Sequence, residues 1–183
     1  MDLVKNLSNY KLLKYLLLAI LGSILLTVSA KIKIPFYPVP MTMQTFVVLM
    51  LGISLGSKLG SISVILYLLE GIIGIPVFSN SPEKGVGIAY FTGPTMGYLI
   101  GFIFASYISG YFTMKGNIFV KIIKLTLSVS IIYILGILWL GFIIGWDKPI
   151  YNLGVRPFLL AELFKIILLA FLCKYLIRLK KII

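Results

Sequence analysis

Of the 183 residues, 60% are hydrophobic, whereas a soluble domain contains roughly 45–50% apolar residues, so the composition excludes an ordinary soluble domain. The chain has no histidine and only five acidic residues, which excludes a Ser-His-Asp triad, a histidine metal site and a carboxylate-rich cation site. The net charge of +12 does not indicate nucleic acid, because the basic residues gather at the ends of apolar runs.

Glycines, prolines and charged clusters divide the sequence into six predicted membrane-spanning helices. In chain order these are residues 11–30, 41–56, 59–74, 93–114, 122–146 and 157–177. Three prolines between residues 31 and 40 exclude a regular helix there, and the segment 75–92 is polar and rich in glycine. No linker is long enough to separate domains. We therefore expect one all-α domain over residues 1–183, an integral membrane six-helix bundle with irregular outer loops.

The distribution of positive charge predicts an orientation in the cell membrane. With the N-terminus inside, eleven of the 17 basic residues lie on the cytoplasmic side and five on the outer side. By the positive-inside rule both termini are then cytoplasmic, and the long loops face outward, where a ligand would arrive. A rival interpretation reads Lys5, Lys11, Lys14 and the apolar run to Ala30 as a cleavable signal peptide. The run is long enough to span, which favours a helix.

Small residues recur every four positions in several predicted helices. Such stripes let helices in lipid approach closely, so we expect the glycine stripes to pack inside the chain. The glycines are Gly52, Gly56 and Gly60, and Gly93, Gly97 and Gly101. A third stripe, with Ala19, Ser23 and Thr27 in the first helix, could pack internally or against a partner.

Ionisable residues within predicted helices are the strongest functional signal. Glu162 and Lys165 lie three residues apart and therefore share a helix face. If the last helix starts at Pro157, they lie about 7–8 Å and about 12 Å along its axis. Charged groups in hydrocarbon usually face a bundle interior or a watery cavity. The pair favours a polar pocket in the outer half, with a structural ion pair as the alternative. The role of Glu70 stays open.

The outer segments add polar and aromatic side chains that would suit a small amphipathic anion. Candidate binding residues are Gln44, Asn80, Tyr90 and Tyr98. Aromatic walls could come from Phe36, Tyr37, Phe78 and Phe91, whereas Trp139, Trp146 and Tyr151 are interpreted as membrane anchors.

Four stretches resemble one known family. Residues 39–45 (VPMTMQT) resemble its VPxTxQ signature, and residues 51–78 resemble its second and third helices. Residues 93–98 (GPTMGY) resemble its GPTxGY signature, and residues 157–165 (PFLLAELFK) resemble its PFxPGDxxK ending. From about residue 19 to residue 174 the sequence is similar to the BioY family, the biotin-binding substrate (S) component of energy-coupling factor (ECF) transporters.

The resemblance implies a membrane subunit that binds biotin on its outer side. It also implies partners: a transmembrane coupling protein and two ATP-binding-cassette ATPases. The chain has no GxxxxGK[ST] loop, so ATP hydrolysis would belong to a partner. By the same likeness, Glu162 and Lys165 lie in the biotin site, and Ala19 and Ser23 meet the coupling protein. The sequence departs from the family pattern where Ala161-Glu162 replaces Gly-Asp and where Glu70 stands in a usually apolar run.

The chemistry of biotin is compatible with these residues. Glu162 could accept a ureido N–H, and Lys165 could donate to the ureido carbonyl or pair with the carboxylate tail. No metal or cofactor is expected, and the protein is not expected to be an enzyme. The alternatives are an S component for another vitamin, a structural subunit, or a membrane-embedded lipid-modifying enzyme, which would need clustered acids or histidines.

Overall fold

The computed structural model describes residues 2–34 and 37–182, with the side chains of residues 10–34 and 37–181. Phe36 lies outside the described residues. The described chain is mostly helical, as predicted. Its helices are α1 (Asp2–Lys31), α2 (Gln44–Leu55), α3 (Ser57–Ile72), α4 (Gly87–Phe91), α5 (Met96–Tyr111), α6 (Ile118–Ile144), α7 (Ile150–Gly154) and α8 (Leu159–Ile182).

A small hairpin that the sequence did not predict joins α1 to α2. Strands β1 (Lys33–Ile34) and β2 (Met41–Thr42) are antiparallel, with Lys33 opposite Thr42. Two-residue strands carry too few side chains to show the alternation from which a strand is predicted. Because residues 41 and 42 belong to the hairpin, the predicted second helix is wrong at its start: α2 begins at Gln44.

Two of the described helices are long and apolar enough to cross a membrane, Tyr10–Lys31 within α1 and Ile118–Ile144. Helix α2 is apolar but has 12 residues. At about 1.5 Å per residue it is about 18 Å long, shorter than a hydrocarbon core of about 30 Å. The last predicted helix is also shifted, because Pro157 lies in a short 3-10 turn (Arg156–Phe158) and α8 starts at Leu159.

Glycines allow the helices to pack closely inside the chain, as predicted for Gly52, Gly60, Gly97 and Gly101. A Cβ atom added at Gly97 would lie 2.3 Å from the Leu135 carbonyl oxygen of α6, and one added at Gly52 would lie 2.2 Å from a backbone oxygen of α5. Helix α5 therefore contacts α2 and α6 backbone to backbone. The other two predicted glycines lie in connections, where Gly56 (φ +85°) separates α2 from α3 and Gly93 precedes α5.

Candidate ligand-binding site

A buried ion pair lies where α8 meets the start of α2. The Lys165 Nζ atom lies 2.6 Å from Glu162 Oε1, and the two side chains are 6% and 7% exposed. Thr45 joins both: its hydroxyl donates to Glu162 Oε1 at 2.7 Å, and its oxygen accepts from Lys165 Nζ at 2.9 Å. Lys165 also donates to the carbonyl oxygen of Thr42 at 2.7 Å. All three ammonium hydrogens thus have acceptors in the hairpin, α2 and α8.

The carboxylate of Glu162 keeps one acceptor atom for another group. Its Oε2 atom is buried and has no hydrogen-bond partner among the described residues. The Tyr133 phenol on α6 interacts with this carboxylate electrostatically and as a hydrogen-bonding neighbour, although it does not meet the geometry of a hydrogen bond to Oε2. Because a buried charged acceptor without a donor is costly, Oε2 marks a place where a ligand N–H or O–H would be stabilised.

A cavity extends from this pair between α2, α5, α6 and α8 and the segment after α3. Its walls combine aliphatic and aromatic side chains with few polar groups, as is usual for small-molecule sites. The apolar walls are Val39, Pro40, Met41, Phe78, Leu99, Phe102, Ile132 and Phe158, and the polar groups belong to Thr42, Gln44, Thr45, Ser79, Tyr90, Thr95, Tyr98, Glu162 and Lys165.

The structure brings five of the six candidate binding residues to this cavity. Glu162 and Lys165 are joined there by Gln44, Tyr90 and Tyr98. The Gln44 amide donates to the phenol of Tyr67 at 2.7 Å. The Tyr98 phenol donates to the Gly154 carbonyl oxygen at 2.9 Å. These bonds hold Gln44 and Tyr98 in the cavity wall.

Asn80 lies apart from the other candidates. Its side-chain Oδ1 accepts from Lys33 Nζ at 3.0 Å. With Tyr37 and Lys84 it borders a separate groove that shares Tyr90 and Thr95 with the cavity. Asn80 is therefore positioned to hold the segment beside the cavity, and its role as a direct ligand contact stays a prediction.

Sequence reasoning did not single out Thr42 and Thr45, which complete the charged centre. Both stand in the stretch VPMTMQT, whose resemblance to the VPxTxQ signature includes Thr42 but assigns it no role. Their position between a proline-rich loop and an apolar helix was the available signal. What the sequence could not provide is that residues 117 and 120 positions apart along the chain would meet.

The small-residue stripe of α1 packs inside the chain. Ala19 and Ser23 are 3% and 1% exposed. The Ser23 hydroxyl donates to the Glu70 carboxylate on α3, and a Cβ atom at Gly22 would lie 2.7 Å from Ser63 Cβ. The stripe therefore packs internally in the described chain, and its contact with a partner stays a prediction. Glu70 thus has a partner on the neighbouring helix.

Comparison with known proteins places the chain in a family. The model of the BioY family matches residues 4–181. The chain belongs to the BioY family. The Probable biotin transporter BioY of Pyrococcus horikoshii is 38% identical over 141 residues, covering 77% of this chain and 82% of the relative. The Biotin transporter BioY of Thermotoga maritima is 36% identical over 159 residues, covering 86% and 90%.

A solved crystal structure has the same fold. The chain matches a crystal structure of the S-component for biotin from an ECF-type ABC transporter with a TM-score of 0.76 and 28% identity. The match covers 92% of this chain and 93% of the other. The fold of this BioY-family chain is therefore that of an ECF S component over nearly its whole length.

Proposed function

We propose that the chain is the membrane-embedded, biotin-binding subunit of an ECF-type vitamin uptake transporter. The observation that carries the proposal is the buried Glu162–Lys165 pair with one unpartnered carboxylate oxygen, placed in a cavity of mixed apolar and polar lining. Biotin transporters among the relatives and the biotin S component among solved structures support the choice of ligand. Such a subunit is a transport protein and not an enzyme.

The unpartnered oxygen favours one orientation of biotin. Glu162 Oε2 needs a donor, and the ureido ring has two N–H donors whereas the ionised carboxylate tail has none. We therefore place the ureido ring at Glu162, with Lys165 beside its carbonyl. The tail then extends toward Ser79 and Tyr90, which lie on the cavity wall formed by the segment after α3.

Calorimetric titration of the purified full-length chain with biotin tests the ligand and its orientation. We expect one site per chain. Methylation of a ureido nitrogen removes an N–H donor for Oε2, and leaving a charged acceptor unpaired costs more than about 1.4 kcal/mol. Because about 1.4 kcal/mol is tenfold in affinity, binding should weaken at least about 10-fold. Conversion of the tail to a methyl ester should have the smaller effect. Binding of another vitamin in preference to biotin would identify a different S component, and the opposite ranking of the two analogues would reverse the orientation.

We propose six membrane-embedded helices, which are those of 12 or more residues, with both termini cytoplasmic: α1, α2, α3, α5, α6 and α8. The chain suits a cysteine-labelling test, because its native Cys173 is buried. An impermeant thiol reagent added to intact cells should label Lys84→Cys and spare Lys181→Cys. Labelling of only the second variant would invert the orientation.

Partner subunits are proposed to be a transmembrane coupling protein and two ABC-type ATPases. A groove at the predicted cytoplasmic end suits the coupling protein, because it is largely apolar and has basic edges at Lys58 and Lys180. Ala19 forms part of the groove, so this residue stays a candidate contact, whereas Ser23 is bonded to Glu70.

Filling the groove tests this partner surface. Ile62 is 51% exposed and lines the groove, whereas Ile65 on the same helix is 40% exposed and does not line it. Ile62→Trp should lose co-purification with the energising module while biotin binding persists, and Ile65→Trp should behave as the parent. If Ile62→Trp still assembles normally, the coupling protein binds elsewhere.

A further inference from the structure

The segment that follows α3 closes one side of the cavity. Residues 78–81, here called the capping segment, include Phe78 and Ser79, which line the cavity and are 1% and 6% exposed. The Phe78 ring stacks on Tyr90 at 5.2 Å with an interplanar angle of 14°. A Cβ atom at Gly71 would lie 2.1 Å from the ring, so Phe78 fills a niche against α3. A ligand cannot pass this wall unless the capping segment moves.

Two lysines, Lys31 at the end of α1 and Lys33 on β1, donate hydrogen bonds to oxygen atoms of the capping segment. The Lys31 Nζ atom lies 2.8 and 2.6 Å from two backbone carbonyl oxygens of the segment. The Lys33 Nζ atom lies 2.6 Å from a third carbonyl oxygen and 3.0 Å from a side-chain amide oxygen. The acceptors are Phe78 and Ser81 for Lys31, and Ser79 and Asn80 for Lys33.

The lysines supply the charged hydrogen bonds to the capping segment, beside a backbone bond of 2.8 Å from the Lys84 N–H to the Asn80 carbonyl oxygen. The Asn80 N–H donates to the Tyr90 phenol at 3.2 Å, and the Ser79 hydroxyl lies 3.3 Å from the same phenol. Both are longer and join neutral groups. Hydrogen bonds from a charged donor are shorter and roughly twice as strong as neutral ones. Loss of the two ammonium groups would therefore leave mainly ring contacts to keep the segment in place.

The hairpin of β1 and β2 connects Lys33 to the buried ion pair. Lys33 on β1 is the antiparallel partner of Thr42 on β2. The carbonyl oxygen of Thr42 accepts from Lys165 Nζ at 2.7 Å. Lys33, which holds the capping segment, thus belongs to β1, and Lys165, which lines the cavity, is hydrogen-bonded to the paired strand β2.

We propose that Lys31 and Lys33 form a latch that keeps the capping segment closed over the cavity and so sets the rate at which ligand leaves. The identity of the ligand as biotin rests on the proposed function, whereas the hold of the lysines on the segment is a property of this chain alone. Both lysines are positioning residues, because they act through the segment and do not line the cavity.

The test compares Lys31→Met/Lys33→Met with Lys84→Met in the purified full-length chain. Methionine keeps a long stem and removes the charge. Lys84 is a matched control for loss of positive charge, because its ammonium lies 5.7 Å from the centre of the Tyr37 ring instead of on the segment's oxygens. Two quantities are measured: amide hydrogen exchange over residues 77–85, which needs no ligand, and the rate at which labelled biotin is released.

In the double variant both quantities should rise at least about 10-fold, which corresponds to about 1.4 kcal/mol. In the control Lys84→Met both rates should stay within about twofold of the parent. In Lys33→Arg, which keeps a charged donor, both should stay within about threefold. Unchanged amide exchange, or faster exchange without faster release, would overturn the latch, as would an equal effect of Lys84→Met. If the double variant does not fold, Lys33→Met is judged by the same criteria. A parent chain that binds no biotin would refute the proposed function instead, and the amide exchange would then decide the latch.

Discussion

Replacing Lys165 by methionine is the sharpest test of the candidate site. In the parent chain Lys165 donates three hydrogen bonds, of 2.7, 2.9 and 2.6 Å, to the hairpin, to Thr45 and to Glu162. The substitution leaves the Glu162 carboxylate buried, with the Thr45 hydroxyl as a donor and the Tyr133 phenol as a further neutral neighbour. Breaking a buried pair by removing one partner typically costs about 3–5 kcal/mol.

Loss of about 3 kcal/mol from the bound state corresponds to an affinity at least about 100-fold lower, since about 1.4 kcal/mol is tenfold. Calorimetric titration with biotin measures that change, and thermal melting of the same sample separates it from unfolding. The substitution thus removes the paired charges that hold the carboxylate in place for a ureido ring.

A second variant separates binding from stability. Glu162→Gln/Lys165→Met removes both charges, and replacement of a buried pair by uncharged residues is often neutral or stabilising. We expect the double variant to melt near the parent and still to bind biotin at least about 100-fold more weakly. A folded Lys165→Met protein that binds biotin within a factor of about three of the parent would refute the assignment of the site.

Three further substitutions have expected outcomes. Thr45→Val should weaken biotin binding about 10-fold in a titration, because hydrogen bonds to charged groups contribute about 1.5–3 kcal/mol each, and Thr45→Ser should preserve it. Gly101→Leu should lower the melting temperature by several degrees or prevent folding, because a Cβ atom there would lie 2.7 Å from Ile132 Cα; normal melting would refute the close α5–α6 contact. Ala19→Trp should destabilise the isolated subunit, because Ala19 is 3% exposed; a normally stable variant would show that this face is free to bind a partner.

The parts of the fold that follow from local chemistry could be predicted from the sequence. Apolar runs and proline-rich breaks predicted most ends of the larger helices to within a few residues, although α1 begins at Asp2 and not near residue 11. Glycine spacing predicted close packing inside the chain, which the structure has between α5 and α6. The hairpin was missed because its strands have two residues each. The end of α2 at Gly56 was predicted, whereas its start was not, because the pairing of Met41 and Thr42 depends on β1.

The residues of the candidate site that could be predicted are those marked by charge or by resemblance to the family. Glu162 and Lys165 stand out because ionisable residues are rare in apolar helices. Thr45 has no such sequence signal, since threonine is common at helix starts. Its role depends on the contact between α2 and α8. Asn80 was predicted to be a binding residue in an outer segment, but the sequence does not show that Lys33 would donate to its amide oxygen.

The energetics of the ion pair also argue that the site exists for a ligand. A buried salt bridge is weak support for stability, because the cost of desolvating two charges offsets most of their attraction. If Glu162 and Lys165 served only to pack α8, apolar residues would serve as well, and Glu162 Oε2 would not be left without a donor. Retaining the pair in a cavity wall is reasonable when a third polar molecule completes it. The ureido group of biotin offers an N–H for Oε2, so binding would complete the hydrogen bonding of Glu162 without adding net charge to the site.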